Sequence, residues 1–159
     1  MKKLHNKLIL VLALLVGSAV GLQAQPGMVD ERARELVKLA KKHFEADDFL
    51  EAALKFELAT QRPENKLTTY SWYMSGLSFY KLNEKEKATA SFSHLVKTWP
   101  ASNYAHDARF HKALMLLESN KTNDREQGLD QMLRLRDRTT APNLKDDIES
   151  TVRHFLFNV

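Results

Sequence analysis

The sequence predicts an all-α protein in which antiparallel helix pairs stack into a solenoid of about three repeats, followed by a C-terminal helix. Only five Gly and four Pro occur in 159 residues, and 43% of the residues are hydrophobic, which favours long helices over β-hairpins. An apolar pattern recurs after 36 and then 40 residues. Pro63 and Pro100 follow the first two copies, at points where a helix is expected to end.

Residues 1–24 have the layout of a cleaved secretory signal. Three lysines precede the apolar run Leu8–Val16, and small residues lead to Ala24. A membrane anchor is the alternative, but the run is shorter than the ~20 residues that span a bilayer. Without the leader's three lysines, 21 of the 24 basic residues remain against 20 acidic ones. This near-neutral remainder argues against nucleic acid or anionic lipid as a partner and predicts no membrane insertion after cleavage.

The recurring pattern is a small residue, a large apolar residue four positions later and another apolar residue three positions after that. This spacing suits the second helix of an antiparallel pair, because the small residue lets the first helix approach and the other two fill the space between the helices. The three copies are Ala52, Phe56 and Ala59; Ala88, Phe92 and Leu95; and Gly128, Met132 and Leu135.

Periodicity and end signals predict helices over residues 30–45, 49–61, 67–82, 85–98, 103–118, 125–138 and 144–157. Four short polar residues stand just before helical patterns, where their side chains can accept a hydrogen bond from an otherwise unpaired backbone N–H. These predicted caps are Asp30, Ser102, Asp124 and Asn143.

The middle copy resembles the tetratricopeptide repeat (TPR) family, whose unit carries Trp, Leu-Gly, Tyr, Ala, Phe, Ala and Pro at set spacings. The first copy departs from this pattern by having His43 where Tyr is usual. The second copy has Ser75 at the Leu position, and the third copy is degenerate. The matching residues of the middle copy are Trp72, Gly76, Phe79, Ala88, Phe92, Leu95 and Pro100; those of the first are Leu39, Ala40, Phe49, Ala52, Phe56 and Ala59.

The resemblance implies a right-handed TPR solenoid. It divides the chain into a lead-in over 25–32, repeats over 33–66, 69–102 and 106–141, and a capping or partial-repeat helix over 142–159. It also implies that the first helix of each pair lines an inner groove. Transferred residue by residue, the predicted protein-binding groove consists of Phe44, Tyr70, Tyr73, Leu77, Tyr80, Phe110 and Leu114.

An aromatic groove of this kind is expected to bind a protein or peptide segment with apolar anchors. The competing interpretation is that Tyr73, Leu77, Phe110 and Leu114 simply pack neighbouring first helices together. The three tyrosines Tyr70, Tyr73 and Tyr80 favour the groove more strongly, because their hydroxyls need partners or water.

The residues offer little for catalysis or metal binding. The chain has no cysteine, and it lacks the nucleophile, metalloprotease and phosphate-loop motifs. His106 and His111 are offset by more than about 100° around a helix and do not face one metal together. Arg134, Arg136 and Arg138 are interpreted as a solvated helix end. We therefore predict a non-enzymatic protein without cofactor or metal.

The C-terminal helix carries the apolar stripe Leu144, Ile148, Val152 and Phe155, whereas Leu156, Phe157 and Val159 lie off that stripe. Three explanations remain open for these off-stripe residues. They pack back into the third repeat, they mediate self-association, or a further helix of a longer protein covers them.

The segment Ala-Ser-Asn-Tyr-Ala-His-Asp-Ala at 101–108 is similar to a phrase in exported TPR proteins of outer-membrane biogenesis and envelope division. This resemblance implies an interaction scaffold of the bacterial cell envelope, in the periplasm or on the periplasmic face of the outer membrane. The alternative is an N-terminal TPR spacer module of a longer peptidoglycan-associated or secretion-apparatus protein.

Overall fold

The computed structural model describes residues 30–157, which fold into helices without a strand. Consecutive helices pack against each other, and α5 also contacts α3 and α7. This confirms the predicted all-α class. The predicted leader, 1–24, and Val159 lie outside the described residues. The helices are α1 (Glu31–Glu45), α2 (Phe49–Thr60), α3 (Thr68–Lys81), α4 (Lys85–Thr98), α5 (Asn103–Leu117), α6 (Thr122–Arg138) and α7 (Pro142–Phe157).

The nine residues of the recurring pattern are all buried, as their spacing predicts. The large central residue of each copy, Phe56, Phe92 or Met132, is completely shielded from solvent. Each copy lies in a different apolar cluster, so the core is divided among successive helix pairs instead of forming one central mass. We call these the first cluster (around Phe56), the second cluster (around Phe92) and the third cluster (around Met132). Such a segmented core is typical of stacked helical units.

Two glycines permit the closest helix contacts. A Cβ added at Gly76 would lie 2.6 Å from the Phe92 ring, so the absence of a side chain lets α3 approach α4. A Cβ at Gly128 would lie 2.8 Å from the Ala113 carbonyl oxygen and from the Leu117 amide nitrogen. Here α6 touches the backbone of α5 itself.

The turns within the first two helix pairs have the same geometry. Asp47 and Asn83 both adopt positive φ, 57° and 60°, a conformation that Asp and Asn tolerate better than most residues. The following amides donate to carbonyls five residues back, Asp48 to His43 and Glu84 to Phe79, each over 2.9 Å. Because Asp47 and Asn83 stand 36 residues apart, the turn recurs at the same interval as the core pattern.

The predicted helix caps have mixed outcomes. Asp30 caps α1 by accepting a hydrogen bond from the Ala33 amide, whereas Ser102 occupies the cap position of α5 without a side-chain capping bond. The predictions for Asp124 and Asn143 are wrong, because α6 and α7 begin at Thr122 and Pro142. Proline suits a first helical position, since its missing N–H would have no partner there.

None of the helices in the described range combines the length and apolar composition that crossing a bilayer requires.

Candidate functional site: an aromatic surface on two helices

The predicted tyrosines meet further rings from α5. We call the resulting patch the aromatic surface; all six of its residues are half-buried. Tyr104 and His111 belong to it although they were absent from the predicted groove. Because α3 and α5 pack against each other, residues 30 or more positions apart in sequence come into contact. The aromatic surface consists of Tyr70, Tyr73, Tyr80, Tyr104, Phe110 and His111.

Two residues of α5 join the tyrosines of α3. Tyr104 meets Tyr70 edge-on, with ring centroids 5.4 Å apart, and stacks on Tyr73 at 5.7 Å. His111 contacts Tyr73 and Tyr80 edge-on, both at 5.7 Å, and Phe110 at 5.3 Å. Such offset and edge-to-face pairs are favourable arrangements for aromatic rings. The rings therefore hold one another in place before any ligand arrives.

Beneath this patch, His111 also stacks on the fully buried Phe92, at 5.6 Å. Its Nδ1 lies 3.0 Å from the Asp107 carbonyl oxygen. A carbonyl oxygen only accepts, so Nδ1 carries the proton in this bond. Burial lowers the pKa of His111 despite this bond, which keeps the imidazole neutral at pH 7 and leaves Nε2 as an acceptor.

The tyrosine hydroxyls differ in their partners. Tyr80 donates a hydrogen bond to the Glu118 carboxylate at 2.5 Å, and this bond ties α3 to the end of α5. Within residues 30–157, the hydroxyls of Tyr70 and Tyr73 have no hydrogen-bond partner, and neither is among the buried unpaired polar atoms. These two hydroxyls reach solvent from rings whose faces and edges are packed.

Burial raises the pKa of Tyr70 and Tyr73 above the ordinary phenol value, and for Tyr73 the Asp107 carboxylate adds to this effect. Burial and the bond to Glu118 raise the pKa of Tyr80. All three phenols therefore stay protonated at physiological pH and act as hydrogen-bond donors. Burial also raises the pKa of Asp107 itself.

The remaining predicted groove residues lie at the margins of the aromatic surface. Phe44 meets Phe49 edge-on at 5.2 Å and packs on the first apolar cluster. Leu77 packs against both the first and second clusters. Leu114 packs on the third cluster and lines a cavity beside Phe155 of α7. The structure thus joins the predicted tyrosines through Tyr104 and His111. Phe110 adjoins them through its contact with His111 and also packs on the third cluster.

Other polar residues singled out in the sequence are separated. His106 lies on the side of α5 that faces α6, among basic residues, whereas His111 belongs to the aromatic surface. No three His, Asp or Glu side chains of the described range come together in an arrangement that could hold a metal ion. The three arginines of α6 also diverge, because Arg134 and Arg138 line a cavity that Arg136 does not line.

The end of α7 leaves apolar side chains in solvent. The predicted stripe Leu144, Ile148, Val152 and Phe155 packs on the third cluster. Leu156 and Phe157 are 55% and 80% exposed, so, of the three explanations left open for the off-stripe residues, packing back into the third repeat does not hold for these two. Leu156 and Phe157 follow Phe155 by one and two residues. They therefore lie about 100° and about 200° further around the helix, away from that cluster.

The sequence matches no known protein-family model, and no similar curated protein was found.

Proposed function

We propose that this protein is an exported, non-enzymatic scaffold built as a right-handed TPR solenoid of about three repeats, which holds a segment of a partner protein in the bacterial cell envelope. The buried recurring pattern and the repeated positive-φ turn support the assignment to this architecture. The secretory layout of residues 1–24 supports export, and the resemblance at 101–108 supports a role in outer-membrane biogenesis or envelope assembly.

The binding surface in this proposal is the aromatic surface. The main support for this assignment is that the rings of Tyr70 and Tyr73 are packed while their hydroxyls are free. Rigid tyrosines lose little conformational entropy when a ligand binds, and they offer both apolar area and a donor. The backbone carbonyls of an extended or helical segment would accept from these donors, while its apolar side chains contact the rings.

The charges around the aromatic surface indicate which kind of partner segment would bind there. The carboxylates of Asp107 and Asp147 both act on the Tyr73 phenol, from α5 and α7. At the other end, the Lys81 ammonium and the Glu118 carboxylate both act on His111, with opposite signs, so the charge there is balanced. A segment with apolar anchors and a basic residue beside Tyr73 would satisfy this arrangement best.

Affinity capture from a detergent-solubilised envelope tests the proposal, with the chain from Gln25 onward as bait. Tyr70→Phe/Tyr73→Phe keeps both rings and removes only the free hydroxyls. Tyr80→Phe is the matched control, since its hydroxyl is already bonded to Glu118. Two lost hydrogen bonds of about 1 kcal/mol each weaken binding roughly tenfold or more.

The expected result is a partner that the native bait and Tyr80→Phe retain and the double variant loses, with all three baits folded. Equal retention by the native bait and the double variant would overturn the proposal. Alanine is unsuitable at Tyr73, because this ring packs on both the first and second clusters and its removal costs about 3–5 kcal/mol of stability.

A further inference from the structure

A second surface lies between α5 and α6, where a cavity of about 370 Å³ opens beside Leu135. Four cationic side chains line it together with His106, and no carboxylate does. These cations are Arg109, Lys112, Arg134 and Arg138.

Most of this positive charge is not neutralised within residues 30–157. Arg134 pairs with Asp130 over 2.7 Å, and Arg109 donates to the Pro100 carbonyl oxygen at 3.2 Å. The side chains of Lys112 and Arg138 have no hydrogen bond or ion pair with any other described residue. Burial and the neighbouring Arg109 lower the pKa of Lys112, so a bound anion would relieve an existing repulsion.

The cavity continues toward α4. A second cavity of about 540 Å³ shares Lys112 and Gln131 with the first and reaches Lys85. Charges in this part are mixed, since Glu118 and Asp124 also line it. Both volumes fall in the range of about 300–1,000 Å³ of sites that enclose a ligand larger than a lone ion. The two cavities together form a groove with one strongly basic end.

We propose that this basic groove binds an acidic segment of a protein, with the carboxylates of the segment placed among Arg109, Lys112 and Arg138. Guanidinium groups pair with carboxylates in a bidentate fashion, and the apolar edge at Leu135 suits the aliphatic part of Asp or Glu. Arg109 lies about 140° around α5 from Tyr104. The basic end of the groove at Arg109 therefore faces away from Tyr104, whereas Glu118, the hydrogen-bond partner of Tyr80, lines the other end.

Fluorescence anisotropy with labelled hexaglutamate and hexaglutamine peptides, at low ionic strength, tests the inference directly. Lys112→Gln/Arg138→Gln removes the two unpaired cations. Lys38→Gln/Lys97→Gln removes the same charge from exposed positions on α1 and α4 and serves as the matched control. Arg138 is exposed, so the single Arg138→Gln variant provides a second test that does not disturb the core.

The expected result is that the native chain binds hexaglutamate and not hexaglutamine. The Lys112→Gln/Arg138→Gln pair then weakens binding about tenfold or more and Arg138→Gln about threefold, while the control pair changes it less than about twofold. Three results would overturn the inference: no binding of hexaglutamate, equal weakening by both pairs, or displacement of the peptide by an equal concentration of inorganic phosphate. The last result would indicate a site for a small oxyanion.

Discussion

Replacing Gly128 with Ala tests the close contact between α5 and α6. The added Cβ would lie 2.8 Å from the Ala113 carbonyl oxygen, 2.8 Å from the Leu117 nitrogen and 3.0 Å from the Leu116 Cβ. The first two distances are about 0.6 Å short of ordinary van der Waals contact. Both atoms belong to helical backbone, so neither can rotate away and the two helices must separate.

Two opposing effects determine how much Gly128→Ala changes the free energy of unfolding. Ala is favoured over Gly within a helix by about 1 kcal/mol. Overpacking of a close-packed contact costs about 1–3 kcal/mol, and the rigid backbone of α5 places this case in the upper half of that range. The expected net loss is about 1–2 kcal/mol of the free energy of unfolding, which lowers the melting temperature by about 3–10 °C.

Thermal denaturation followed by circular dichroism measures this change. Thr89→Ala, at an exposed position of α4, is the control, because it improves helix propensity without entering a helix contact and should raise stability slightly. A Gly128→Ala protein that melts at or above the native temperature would show that α5 and α6 are not in the contact described.

Three further predictions follow from the site and from α7. Since burial lowers the pKa of His111 below its ordinary value near 6.5, unfolding takes up a proton at mildly acid pH. The protein therefore has its full stability above about pH 6.5 and loses stability as the pH drops below that value. Melting scans should show a smaller loss for His111→Phe, and an equal pH dependence of the two melting temperatures would contradict a lowered pKa of His111. A double-mutant cycle of Tyr80→Phe and Glu118→Ala should give a coupling of about 1 kcal/mol, and additive losses would argue against their hydrogen bond. Self-association through the exposed C-terminal residues predicts that Leu156→Ser/Phe157→Ser lowers the sedimentation coefficient, whereas a native chain that is already monomeric excludes it.

The helices and their buried positions could be predicted from sequence because helical burial follows a local period. Ala88, Phe92 and Leu95 share one face of a helix whatever lies opposite them, and the same holds for the equivalent residues of the other copies. Helix starts were less predictable. Asp124 lies inside the first turn of α6, where its carboxylate accepts a hydrogen bond from the Ser119 hydroxyl at 2.7 Å, and a capping residue and a first-turn acid look alike in sequence.

Membership of the site depended on packing between helices. Tyr104 and His111 stand seven residues apart and so share one face of α5, a signal that the sequence does contain. That this face meets Tyr70 and Tyr73 depends on how α3 and α5 cross, which no local pattern specifies. The family resemblance located the tyrosines of α3, and the contacts across the two helices supplied the rest of the aromatic surface.

The basic groove illustrates the same limit. Arg134 and Arg138 stand four residues apart on one face of α6, a spacing visible in the sequence. Their significance depends on Arg109 and Lys112 of α5, which line the same open cavity. That these two pairs of side chains meet depends on how α5 and α6 pack.

Site-specific photo-crosslinking in the envelope of the source cell tests directly whether the aromatic surface binds a partner protein. A photoreactive phenylalanine derivative replaces Tyr70 on the aromatic surface or, as control, Lys97 on the exposed side of α4. We expect a discrete crosslinked protein from position 70 that is absent from position 97 and reduced when Tyr73→Phe is added. The same adducts from both positions, or none from position 70, would contradict the claim that the aromatic surface binds the partner.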